Sequence, residues 1–279
     1  MHHHLQNPTE LSIMELWRPD ILLVLIGIGF WYLMKSSAFK TKRIHFNPQF
    51  LRGQVYFLLG LLLFYIALGT PLAYYGHGYS FSLHMIQQAL TFFVAAPFIL
   101  LGTPTLWIRS LFGHRLISPV LGLFTKPLLS VVLFNMLFSL YHVPLVFDTL
   151  HAHPVGQVLY HILLQGTAFC MWWPVLCPLR NGKSLSHLKK VGYMFANGVL
   201  LTPACALIIF ADTLLYSSYQ TTLPFITLLS PLEDQQLGGV LMKLIQEIVY
   251  ATVIGLIFFR WYREENPREI DQLTNERNW

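Results

Sequence analysis

The chain has 279 residues, 54% of them hydrophobic and only 11% charged, and its mean hydropathy is +0.53. A soluble domain carries about 25% charged residues, so this composition excludes an ordinary soluble fold. It points instead to helices that cross a bilayer, at ~20 apolar residues each. The net charge of +5 then belongs to cytoplasmic loops rather than to a nucleic-acid surface.

From the amino end, residues 1–16 read as a polar extracytoplasmic leader, and the tag-like tract Met1-His2-His3-His4 is set aside from fold reasoning. No cleavable signal peptide is expected, because the first apolar run follows this leader without a small-residue cleavage site. Helix one is predicted from about Trp17 to Met34, with Trp17, Trp31 and Tyr32 as interfacial anchors. A basic loop (Lys35, Lys40, Lys42, Arg43, Arg52) leads to helix two, about Gln54 to Pro71, and Tyr74–Tyr79 reads as a short aromatic loop with His77 in it. Helix three is expected from about Ser82 to Trp107, kinked or ended by Pro97 and Pro104.

Helix four, about Pro127 to Phe147, carries Asn135, Ser139 and His142 at i, i+4 and i+7, a polar stripe on an apolar helix. Asp148, His151 and His153 follow in a loop. Helix five, about Gly156 to Cys177, places His161 and Gln165 on one face; helix six runs from about Val191 to Leu215. The connection Tyr216–Leu232 holds an apolar patch, Phe225–Leu229. Helix seven, about Asp234 to Tyr262, lines one face with Gln235, Gly238, Met242 and Gln246, and residues 263–279 form a charged tail. Cys170, Cys177 and Cys205 lie in apolar segments without a CxxC pair and read as core residues.

The expected fold is therefore all-α: a polytopic seven-transmembrane-helix bundle over residues 17–262 and a cytoplasmic tail over 263–279. Loops one-two, three-four and five-six plus the C-terminal end from Arg260 onward hold sixteen of the eighteen Lys and Arg residues, Arg18 and Lys243 being the exceptions. That asymmetry sets the N-terminus outside and the C-terminus in the cytoplasm. In this orientation His84, His142, His161 and Met242 come from four helices to one depth near the outer surface, with Asp148 and Asp234 at the rim. Polar groups at such depth are costly unless paired, so they invite a functional reading. His84 and Gln88 share a helix face, whereas Met85 lies about 100° round the helix.

Imidazole and thioether together suit a soft or borderline ion such as copper, making His84, Met85, His142, His161 and Met242 the candidate ligands. Gln87, Gln88, Gln165 and Gln246 are candidates to orient them through their amides. The plainer alternative is that these groups are interhelical hydrogen-bonding residues. No Walker loop, GxGxxG, HExxH or Ser-His-Asp spacing is present, and no enzyme is expected. Bis-histidine haem is a further option. A retinal-type photoreceptor is disfavoured, since Lys243 lies near the outer end of helix seven and helix three offers no counter-ion.

Four motifs in order resemble the CtaG-type cytochrome c oxidase assembly factors of Bacillus-like bacteria. They are His84-Met85 with Gln87 and Ala95-Ala96-Pro97…Leu101-Gly102-Thr103-Pro104; Tyr141-His142-Val143-Pro144…Phe147-Asp148; His161…Gly166…Trp172-Trp173-Pro174-Val175; and Asp234-Gln235-Gln236-Leu237-Gly238-Gly239…Met242. The resemblance implies a multi-pass bacterial plasma-membrane protein needed to make an active haem-copper oxidase, with copper handling as its role. The chain departs from the pattern at Gln88, where a second histidine is expected. The implied partners are oxidase subunits, an extracytoplasmic copper donor protein and the lipid bilayer, with copper(I) as the ion bound and delivered at the outer face. The rivals are a metal-free membrane scaffold for oxidase subunits, docking them through Phe225–Leu229, and a haem-binding membrane protein.

Overall fold

The computed structural model describes residues 13–38, 48–177, 184–220 and 229–266. Helix makes up 87% of it and no described residue lies in a strand, which fixes the all-α class. The helices are α1 (Ile13–Trp17), α2 (Pro19–Ala38), α3 (Pro48–Gly69), α4 (Pro71–Gly78), α5 (Phe81–Ala89), α6 (Ala96–Gly102), α7 (Thr105–Gly113), α8 (Ile117–Phe124), α9 (Pro127–Tyr141), α10 (Pro144–Ala152), α11 (Pro154–Leu176), α12 (His187–Ile209) and α13 (Pro231–Glu265). The leader to residue 12, residues 39–47 of the basic loop, residues 225–228 of the apolar patch and the tail from residue 267 lie outside the described residues.

Helical segments occupy all seven predicted positions. Among the described residues, four are long and apolar enough to cross a membrane: Leu51–Gly69, Phe81–Gly102, His187–Ile209 and Pro231–Glu265. A fifth is added if α8 and α9, bent by 76°, count as one broken span. The bundle's outer surface is strongly apolar, with Leu23, Leu128, Ile162, Phe195 and Leu256 all exposed, as helices facing lipid require.

Proline sets most of the boundaries. Seven helices (α2, α3, α4, α9, α10, α11 and α13) begin on one, because the first turn has no use for the missing N–H and the ring pre-sets φ. Three expectations are corrected on this ground. Helix four does not continue to Phe147: Pro144 holds Val143 extended (ψ 125°), so α9 stops at Tyr141 and α10 starts afresh. Helix three ends at Gly102, with Thr103 extended before Pro104, and 105–113 form a separate helix. The Tyr74–Tyr79 segment is not a loop, since Thr70 caps and Pro71 opens α4.

Between α5 and α6 the helix widens into a π turn over Leu90–Ala95. In the i→i−5 register Pro97 has no N–H to give the Phe92 carbonyl. The indole of Trp172 on α11 donates to that carbonyl at 2.9 Å. A helix defect is thus sealed by a side chain from a distant helix.

The main core lies among α5, α6, α9, α11, α12 and α13, with Phe93, Phe134, Phe138, Leu164, Trp172 and Met194 fully enclosed. A smaller cluster joins α2 to α3 around stacked Tyr32 and Phe57, and the Tyr32 hydroxyl donates to Gly102 O at 2.8 Å.

α13 sits between α5 and α12, and two adjacent glycines permit the approach. A Cβ on Gly238 would stand 2.8 Å from Phe81 and 3.1 Å from Met85, and one on Gly239 2.9 Å from Ile209. One turn earlier, buried Asp234 accepts from Phe81 N (2.7 Å), Ser82 N (3.3 Å), Ser80 Oγ (3.0 Å) and Ser82 Oγ (2.5 Å). It therefore caps the first turn of α5, not that of its own helix, which Ser230 and Glu233 close with a capping box.

Two stability outcomes follow. Asp234→Ala leaves two backbone donors of α5 unpaired in the core and is expected to cost about 2–3 kcal/mol. Trp172→Phe exposes the Phe92 carbonyl to an apolar interior and costs about 1–3 kcal/mol. Urea or thermal unfolding of the detergent-solubilised variants measures both, and parent-like midpoints would contradict these assignments.

Candidate functional site

The first turn of α5, clamped by Asp234, carries His84 into the interior, 1% exposed. Its Nε2 lies 2.8 Å from Gln88 Nε2, so the predicted i, i+4 pair is a contact. The same Nε2 lies 3.2 Å from the Tyr141 hydroxyl at the end of α9. His161, two turns into α11, brings its Nε2 to 3.1 Å from that hydroxyl. Two imidazoles from two helices thus converge on one oxygen, with ring centroids 6.2 Å apart. Tyr141 is the hub, and sequence reasoning quoted it only as the neighbour of His142.

His142 is fully buried at the α9 terminus freed by Pro144. Its Nδ1 donates to Phe138 O at 2.7 Å, because a carbonyl can only accept. In the neutral ring the lone pair then rests on Nε2, which is buried and has no hydrogen-bond partner. A backbone carbonyl fixing Nδ1–H is how a protein holds an imidazole ready to give Nε2 to a metal. His84 Nδ1, Gln88 Oε1 and Gln165 Nε2 are likewise buried without partners. Asn135 Oδ1, Asn197 Nδ2, Gln235 Nε2, Gln246 Nε2 and the Tyr250 hydroxyl are in the same condition, so what sets the histidine site apart is the convergence of its imidazoles.

The remaining candidates divide. Met85 and Met242 are fully buried, but Met85 meets α13 at Gly238 whereas His84 meets Tyr141, as their 100° separation requires. Gln87 is half-buried. Gln246 accepts from Lys243 Nζ at 3.1 Å and lies against Gly198 of α12, joining a polar group that includes the Lys243–Glu247 pair at 2.6 Å. Among the described residues, no three His, Cys, Asp or Glu side chains form a metal cage.

Toward the surface lies a second set that the sequence reading named but did not connect. His77 on α4 and His151 on α10 stack at 4.6 Å between centroids. Buried Gln157 of α11 reaches both, its Nε2 3.5 Å from His77 Nδ1 and 3.4 Å from His151 Nδ1. Burial, reinforced by neighbouring His77, pushes His151 down to about 4, so its ring is neutral at physiological pH. Asp148, one turn before, is occupied elsewhere: it accepts from Ser217 N (3.1 Å), Ser218 N (3.2 Å) and Ser218 Oγ (2.9 Å). It caps the short 3₁₀ turn Ser217–Tyr219.

Burial alone would lift Asp148, but the bonds from Ser217 and Ser218 outweigh it and hold the carboxyl below its ordinary range. A depressed folded-state pKa stabilises above the unfolded value of about 3.9 and is lost as pH falls through the folded one. Asp148→Asn is therefore expected to speed amide hydrogen exchange at Ser217 and Ser218 at pH 7. The difference from the parent should shrink once the pH falls below about 4. Equal protection in the two proteins at pH 7 would contradict the cap.

A search of curated proteins and a search of solved structures each gave no match. The family model described as cytochrome c oxidase caa3 assembly factor matches residues 30–264. That span includes both histidine pairs, Tyr141, His142 and the Asp234 clamp, and it covers more than half of the chain. On this match the chain belongs to the cytochrome c oxidase caa3 assembly factor family.

Proposed function

We propose that this chain binds copper(I) near the outer face of the bacterial plasma membrane and delivers it to a haem-copper cytochrome c oxidase during assembly. In this reading the chain crosses the membrane seven times, with its N-terminus outside and its C-terminus in the cytoplasm. Its partners are oxidase subunits and an extracytoplasmic copper donor protein. Its role is non-catalytic, as an assembly factor's is.

The observation that carries the proposal is the convergence of His84 Nε2 and His161 Nε2 on the Tyr141 hydroxyl. The hydroxyl donates to one Nε2 and accepts from the other, so its displacement, with the donating ring changed to its other tautomer, leaves two imidazole lone pairs facing one point, and low-coordinate imidazole ligation suits copper(I). The unpartnered Nε2 of His142 is a third donor held in the correct tautomer. Met85 and Met242 add thioether donors only if α5 or α13 shifts, because Met85 packs into the α5–α13 contact. Gln88, in the place of the histidine expected from the family pattern, already touches His84 and serves to orient it. A porphyrin in the same place would have to displace the Tyr141 and Phe147 rings, both packed on His84.

One observation favours a second reading, a metal-free scaffold for oxidase subunits. No three classical donor side chains are gathered among the described residues, and His84, Gln88, Tyr141 and His161 then act as interhelical hydrogen-bonding groups.

Metal analysis of the detergent-purified protein after copper(I) loading separates the two, with His2, His3 and His4 replaced by alanine in every sample. At least about one copper per chain is expected. His84→Ala, His142→Ala or His161→Ala should lower affinity by about 10–100-fold or more, the loss typical of even an indirect contributor to a metal site. A parent protein that retains no copper would leave the scaffold.

A further inference from the structure

The inner pair is not the first imidazole pair that an incoming ion meets. We propose that His77 and His151 form a separate outer seat for copper(I), from which the ion passes inward to His84 and His161. The proposal rests on the copper-carrying reading above and extends it to residues outside the ligand set given there.

Geometry carries the argument. Whichever amide atom of Gln157 faces them, the Nδ1 atoms of His77 and His151 face the same point at 3.5 and 3.4 Å. These contacts are too long to be strong hydrogen bonds, so turning the amide aside costs little. The outer pair shares one feature with the inner one: two imidazoles from different helices contact one polar group. His77 is exposed and His151 half-buried, so the outer seat is open to solvent where the inner one is closed.

The donor set selects the ion. The carboxylate nearest in sequence, Asp148, is committed to Ser217 and Ser218. Two imidazoles without a carboxylate suit a monovalent, low-coordinate ion and serve calcium, magnesium or manganese poorly. Only one layer of rings separates the seats. Phe147 stands 5.7 Å from the His151 ring and 5.5 Å from the His84 ring, and Tyr219 stands 5.7 and 6.4 Å from them. Transfer is a ligand exchange: bonds to His77 and His151 break as bonds to His161 and His84 form, with no change in the copper's oxidation state.

The test is copper(I) loading of the full chain, with His2, His3 and His4 replaced by alanine, against a chromophoric copper(I) chelator. The parent is compared with His77→Ala, His151→Ala, and the double variant His84→Ala/His161→Ala. The expected result is about two copper ions in the parent, one of them lost with either outer substitution while the other remains. Retention of one equivalent by the inner double variant, abolished by adding His77→Ala, also supports the outer seat, even if the inner site then needs revision. Copper content unchanged by both His77→Ala and His151→Ala overturns the outer seat and leaves the inner reading standing. No copper in the parent overturns both. Because His77 is exposed, its substitution should leave folding intact, and an unchanged thermal midpoint verifies this.

Discussion

The arrangement depends on one buried carboxylate. A charge in an apolar bundle is tolerable only if its lone pairs are filled, and Asp234 fills them with two hydroxyls and two backbone N–H groups from the first turn of α5. Those N–H groups are the ones a helix start leaves unpaired, and the helix dipole favours an anion there. The clamp fixes α13 against α5 at one level, and Gly238 lets the backbones close up one turn further on. The direction of His84 follows from that fixed first turn, and from His84 follow Gln88, Tyr141 and His161.

Around this anchor the protein keeps polar groups where hydrophobic packing would be less costly. Asn135 bonds Asn197, Ser130 and Tyr193 share a contact, and the histidines cluster at the opposite end of α9. Buried side-chain atoms without partners occur both beside the histidines (His84 Nδ1, Gln88 Oε1, His142 Nε2) and elsewhere, as at Asn135 Oδ1, Asn197 Nδ2, Gln235 Nε2 and the Tyr250 hydroxyl. On the proposed copper-carrying reading the site needs affinity without permanence, which imidazoles that exchange between a polar side chain and an ion would provide.

The sequence made the helical positions legible because apolar runs of membrane length have few other fates. The His84–Gln88 contact followed from helical spacing alone. Boundaries were less legible, although the signal was local: Pro144 dictates the break after Tyr141, and it was overridden by the apolar run to Phe147. The π turn before Pro97 was not legible, since its stability depends on Trp172, 80 residues away. The roles of Asp234 and Asp148 also needed tertiary structure. Both were expected at a rim, whereas Asp234 is buried and each caps a neighbouring segment. Tyr141, His77, His151 and Gln157 meet only once α4, α9, α10 and α11 are packed, so no spacing rule could connect them.

The central claim is that the buried histidines carry copper to the oxidase. Its most direct test is the copper content of the oxidase in cells whose only copy of this chain carries His84→Ala and His161→Ala, at parent-like abundance in the membrane. The account predicts an oxidase that is made but depleted of copper and inactive, with activity returning when copper is supplied in excess. A fully metallated, active oxidase in those cells would contradict it and leave the chain a scaffold.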